Sequence, residues 1–155
     1  MPKISAGLLM YKINDNKLKV FLVHPGSPFW KDKDKNAWSI PKGEVEKDER
    51  LFDAAKREFF EETGVKPKSK SFIELGNIKQ KSGKIVHAWA FEGDRLGLLK
   101  QNMIEVEFPF GSGKKIKVPE IDKAKFFGVE EAKEKINQAQ FEFIERLKKE
   151  LKVSQ

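Results

Sequence analysis

The chain has no cysteine, two histidines and one tyrosine among its 155 residues. Without cysteine there is no disulfide scaffold and no thiolate metal site, which suits a reducing compartment. His24 and His87 lie far apart in sequence and argue against a zinc centre. No apolar run approaches the roughly 18 residues that a membrane span needs. The first residues, MPKISAGLLMYKINDNKLKV, hold a short apolar run but no secretory signal pattern. The expected setting is the cytoplasm. Internal repeats, low-complexity tracts and a second domain boundary are also missing, so residues 1–155 read as one domain with a core of its own.

The net charge of +7 is unevenly spread. Residues 44–62 carry eight acids against four bases, a local −4 that leaves +11 for the rest. A basic body around an acidic patch suits a metal site that receives a polyanion. The plainer alternative is a lysine-rich surface that aids solubility.

The acidic patch breaks a rule. The spacing predicts a helix from about Asp48 to Thr63, with Asp48 as its N-cap and Gly64, Val65 and Pro67 as its stop. Leu51, Phe52, Ala54, Ala55 and Phe59 form an apolar stripe at about 100° per residue. Glu58 and Glu62 fall inside that stripe, and Glu61 falls at its edge. Carboxylates on a face that becomes buried need a partner. Three on adjacent turns repel one another, so a small divalent cation is the natural one. Oxygen-only ligation favours Mg²⁺, with Mn²⁺ as the other choice.

The same residues carry a resemblance. Gly43, Glu49, Arg57, Glu58, Phe59, Glu61, Glu62, Gly64 and Val65 stand at the spacing G-x5-E-x7-R-E-U-x-E-E-x-G-U, where U is bulky and apolar. The stretch resembles the signature of the Nudix hydrolases, complete in every fixed position. The resemblance implies an α/β/α sandwich around a mixed sheet. It also implies hydrolysis of a nucleoside diphosphate linked to another moiety. Glu58, Glu61 and Glu62 would be the metal ligands, with the carbonyl of Gly43 often joining them. Glu49 and Arg57 would form an ion pair that orients Glu58. The entry Trp38-Ser39-Ile40-Pro41-Lys42-Gly43 looks like branches that cleave dinucleoside or inositol polyphosphates.

The order of elements agrees with that fold. Residues 3–11 and 18–24 read as a strand pair around Asn14-Asp15-Asn16. Residues 71–81 and 84–93 read as a second pair around Ser82-Gly83. Between the pairs, residues 25–37 form a loop, and residues 39–43 form a short strand and turn into the box. Residues 104–110 alternate and read as a short strand or a loop arm. Lys123–Val129 is a last strand, followed by a short helix over Val129–Ile136. A longer helix over Ala139–Leu151 lines Gln140, Phe143, Ile144, Leu147 and Leu151 along one face. Gly111-Ser112-Gly113-Lys114 is not a phosphate loop. Phe108 stands where that motif needs glycine, and Lys115 where it needs serine or threonine.

Outside the box, Glu120 is the first candidate for a further base or ligand, ahead of Glu105 and Glu107. Lys42 is a candidate phosphate contact. Trp89, Phe91 and Phe127 are candidates to stack on a base, with core packing the plainer role among 13 phenylalanines. His24 and His87 read as structural or surface residues. Three functions fit the sequence. The first is a Mg²⁺-dependent pyrophosphohydrolase acting on a nucleotide or dinucleoside polyphosphate. The second removes pyrophosphate from an RNA 5′ end. The third is a silent nucleotide-binding regulator, against which the intact carboxylate set argues.

Overall fold

The computed structural model describes residues 3–26, 32–67, 70–94, 103–119 and 121–152. Five strands form a continuous sheet in the order β4 (Ile73–Lys79), β5 (Ile85–Glu92), β1 (Ile4–Asn14), β2 (Lys17–Pro25) and β8 (Ile121–Gly128). A short β3 (Lys42–Glu44) joins the sheet on β1. The sheet is mixed, because β1 runs parallel to β5 and antiparallel to both β2 and β3.

Both expected hairpins form. β1 and β2 pair from Tyr11↔Val20 to Asn14↔Lys17 around Asp15 and Asn16. Both turn residues take positive φ, 52° and 63°, which Asn and Asp tolerate better than other side chains. β4 and β5 pair antiparallel, with a register shift between Glu74 and Gly76.

Alternation along the strands divides the core into two layers. On one face Ala6, Leu8, Met10, Phe21 and Val23 pack against Ala54, Ala55 and Phe59 of α1 (Leu51–Thr63). Phe59 is fully buried, and burying a side chain of that size contributes roughly 1.5–3 kcal/mol. On the other face Leu9, Leu18, Val20 and Leu22 pack beneath α2 (Val129–Lys135) and α3 (Phe141–Leu151). Phe143, Ile144 and Leu147 close that layer. The result is the α/β/α sandwich expected from the sequence.

Three local expectations change. The box helix begins at Leu51, with Arg50 in the N-cap position and no side-chain cap. Asp48 lies before it, at φ 65°. Glu49 holds the preceding turn closed: its N–H donates to the Glu46 carbonyl and its carboxylate accepts from the Glu46 N–H. The helix ends as expected on Gly64, left-handed at φ 73°. The long C-terminal helix is a 3₁₀ turn over Gln138–Gln140 followed by α3. The arm at 104–110 is a full hairpin: β6 (Met103–Glu107) pairs with β7 (Lys115–Pro119) as a separate two-stranded sheet. No described helix is long and apolar enough to cross a membrane.

Candidate active site

The site lies where the sheet divides. β1 gives the C-terminal half of one edge to β2 and the N-terminal half of the same edge to β3. Residues 38–41 cross the opening, pinned by reciprocal backbone bonds between Val23 and Ser39 of 2.8 and 2.9 Å. The pairing of Gly43 with Ala6 turns Gly43 toward α1, and that of Lys42 with Gly7 turns Lys42 the other way.

Gly43 meets Glu58. A Cβ built on Gly43 would fall 2.0 Å from the carboxyl carbon of Glu58 and 2.0 Å from its Oε2. Only a residue without a side chain lets that carboxylate rest against β3. Arg57 holds it from the other side, with Nη1 donating to Glu58 Oε1 at 2.8 Å. The same guanidinium donates to Glu49 through Nε at 2.8 Å and Nη2 at 2.9 Å. It also reaches Glu61 at 3.3 Å and the Glu44 carbonyl at 3.2 Å. Hydrogen bonding from Arg57 lowers the Glu49 carboxyl to a pKa of about 2, and the same bonds raise the Arg57 guanidinium.

The three expected ligands differ in environment. Glu62 is buried, at 9% exposure. The Glu58 side chain is 16% exposed, while that of Glu61 is 48% exposed and leans on Arg57. As the side chains stand, no three acidic or histidine groups among the described residues are gathered at metal-binding distance. The donors still fit a hard cation. They are all oxygens on successive turns of one helix, and one is seated where only glycine permits it.

Beside Glu62 a cleft of about 390 Å³ opens, walled by Lys42, Trp38, Gln80, Lys84, Asn137 and Gln140 among others. Lys42 is half-buried, and burial, with the charge of Lys84, pushes its ammonium below the usual lysine range. Glu62, Glu58 and Glu44 act in the opposite direction. Lys42 and Glu62 therefore line one cleft.

Other candidates lie elsewhere. Phe127 is 1% exposed, edge-on to Trp38 at 4.8 Å between ring centres. Phe91 is buried against Phe59 and Phe72. Trp89 packs on Phe52 over the α1 layer. None of the three lines the cleft. Glu107 is exposed and caps the hairpin turn, accepting from the N–H groups of Gly111 and Gly113 at 3.1 and 2.8 Å. Glu105 is exposed and pairs across the hairpin with Lys117. Glu120 lies outside the described residues. His24 is buried at the far end of β2, its Nδ1 2.8 Å from Asp122 and its Nε2 against the Lys33 carbonyl.

The cleft residues Trp38, Gln80, Lys84, Asn137 and Gln140 were not among the sequence candidates. Two of them carried a signal. Trp38 opens the segment that enters the box. Gln140 is an amide on an apolar helix face, an anomaly of the same kind as Glu58 and Glu62.

A family profile described as the NUDIX domain matches residues 1–147. The chain belongs to the Nudix family. Solved structures agree in fold. An Ap4A hydrolase from C. elegans, in a binary complex, aligns with a TM-score of 0.68 at 18% identity, covering 97% of this chain and 98% of that one. The NUDIX domain of Shewanella oneidensis NrtR, complexed with ADP ribose, aligns at 0.66 and 16% identity, covering 97% and 89%. A MutT protein from Methanosarcina mazei aligns at 0.59 and 22% identity, covering 97% and 96%. A search of curated proteins finds no match. As a Nudix hydrolase, the chain acts on pyrophosphate bonds.

Proposed function

We propose that this chain is a Mg²⁺-dependent pyrophosphohydrolase whose substrate is a nucleotide or dinucleoside polyphosphate. The observation that carries the reading is the adjacency of Glu62 and Lys42. A buried carboxylate on the box helix and a half-buried ammonium on β3 share one cleft. That arrangement offers cation-binding oxygens on one side and a cation for phosphate on the other. The Ap4A hydrolase and the ADP-ribose-binding domain of similar fold support a nucleotide-type ligand.

Glu58, Glu61 and Glu62 would hold the metal, with the carbonyl of Gly43 as a further donor. When bound, the ion supplies charge stabilisation on the phosphoryl oxygens and an acidified water. The chain's own residues do the rest. Arg57, fixed by Glu49, keeps Glu58 in a single orientation against Gly43. Lys42 offsets charge on the substrate oxygens that enter the cleft. Most of the catalysis then lies in placement rather than in covalent chemistry.

The test is a substrate panel with Mg²⁺ and product identification: dinucleoside polyphosphates, nucleoside triphosphates, ADP-ribose and 5′-triphosphate RNA. Turnover of a dinucleoside polyphosphate or nucleoside triphosphate, abolished by EDTA and restored by Mg²⁺, is the expected result. Turnover of the RNA alone would overturn the substrate assignment, and full turnover in EDTA the metal assignment.

A further inference from the structure

Gln140 is 1% exposed, and every hydrogen-bonding direction of its amide is set by its neighbours. Its Oε1 accepts from the Ile40 N–H at 3.0 Å, and a backbone N–H admits no other orientation. Its Nε2 must then donate, and it does so to Ser39 Oγ at 3.1 Å and to Gln80 Oε1 at 2.9 Å. The relay passes its polarity onward. Gln80, with its oxygen engaged by Gln140, has both amide N–H groups left to donate, and it lines the cleft. Asn137 is set in the same way, because its Oδ1 accepts from the Ala139 N–H at 3.1 Å. Its amide N–H groups also remain, and it lines the same cleft. The charged groups of this cleft are Lys42, Lys84 and Glu62, so beyond the box carboxylate the wall offers donors and positive charge.

We propose that Gln80 and Asn137 are substrate-binding residues that recognise an acceptor-only group, a phosphoryl of a polyphosphate chain beyond the bond that is cut. Gln140 is the positioning residue that turns Gln80 toward it. A neutral base would present donors as well as acceptors and would bring no negative charge to Lys84 or Lys42. A phosphoryl group presents acceptors alone and is charge-assisted by both. The proposal rests on the cleft being the substrate site. It deepens that reading by favouring substrates with three or more phosphates over a diphosphate joined to a sugar.

Gln80→Glu keeps the acceptor for Gln140, removes the donors and adds one negative charge. Asn137→Asp keeps the acceptor for Ala139 and does the same. In Gln140→Glu the new carboxylate can only accept, so Gln80 should rotate and turn its oxygen toward the cleft. Asn77→Asp, an exposed position on β4, controls for added charge. Each protein is titrated calorimetrically, with Mg²⁺ present, with inorganic tripolyphosphate and separately with adenosine, and its Tm is recorded. Gln80→Glu and Asn137→Asp should each raise the Kd for tripolyphosphate by about tenfold or more. Gln140→Glu should do so without touching the ligand. Asn77→Asp should stay within about twofold, and adenosine binding should not change. The proposal is overturned if Gln80→Glu and Asn137→Asp bind tripolyphosphate as the wild type does. It is equally overturned if Asn77→Asp is as harmful as they are, or if only adenosine binding falls. Because the titration needs no turnover, a protein that binds in this pattern yet hydrolyses no nucleotide would refute the enzymatic reading and leave the binding assignment standing. Should Gln140→Glu fail to fold, the two other variants still decide the matter.

Discussion

Arg57 and Glu49 stand eight residues apart and meet through two near-parallel hydrogen bonds, Nε to Oε2 at 2.8 Å and Nη2 to Oε1 at 2.9 Å. The remaining nitrogen, Nη1, reaches Glu58 at 2.8 Å. One planar fork thus ties the turn before the helix to the carboxylate that rests on β3, a task a point charge cannot perform.

Arg57→Lys should therefore separate charge from geometry. A lysine can pair with one carboxylate at a time. Initial rates should fall by about ten- to a hundredfold, and urea denaturation should show a loss of about 1–3 kcal/mol. Wild-type kcat in this variant would mean that Glu58 needs no fixed orientation.

Gly43→Ala should act through one atom. The new Cβ would fall 2.0 Å from the Glu58 carboxyl carbon, far inside van der Waals contact, so Glu58 must move. Activity should drop by about a hundredfold or more while the protein remains folded, because β3 is an outer strand of three residues and its backbone there is ordinary. Far-UV circular dichroism beside initial rates checks this; retained activity would show that the position of Glu58 is not critical.

The depressed Glu49 carboxyl sets a direction for acid sensitivity. Its pKa is about 2 in the folded chain, against 4.5 without Arg57 and the Glu46 N–H. A carboxyl lowered on folding contributes stability that is complete above its unfolded pKa and fades as pH falls through the folded one. Stability should decline between about pH 4.5 and 2, and Glu49→Gln should remove part of that slope. Urea denaturation at pH 5, 4 and 3 measures it. Identical slopes in both proteins would dissociate Glu49 from the effect.

Glu62→Gln should reduce kcat by orders of magnitude and diminish the rise in Tm that Mg²⁺ gives the wild type, since a ligand that binds only the folded state stabilises it in proportion to its affinity. Differential scanning fluorimetry with EDTA and then Mg²⁺ reads both states. An undiminished rise would remove Glu62 from the metal site.

The sequence revealed the parts of the site that violate local rules. Glu58 and Glu62 on an apolar stripe, and the spacing of Gly43, Glu49 and Arg57, are anomalies visible without coordinates. The two hairpins were legible for the same kind of reason: alternation and turn residues are local signals. The distant cleft wall was not. Gln80, Lys84 and Asn137 are ordinary polar residues in turns, and only long-range pairing brings them to Lys42. β7 was missed because the lysines between Gly113 and Pro119 mask its alternation. Phe127 shows the converse, an aromatic residue beside the site in sequence logic but sealed beneath Trp38 in space.

Sharing one edge of β1 between two partners has a consequence for how the gene can change length. A strand with one partner can absorb an extra residue as a bulge. An extra residue near 8–10 in β1 would have to keep Tyr11 opposite Val20 and Gly7 opposite Lys42 at once, while β5 holds the other edge in parallel register from Ile4 to Tyr11. Two ladders index the box to the sheet like a vernier, and neither can slip alone. Length variation should therefore accumulate at the 15–16 turn and the 108–114 turn, and residues 7–11 should not tolerate insertion.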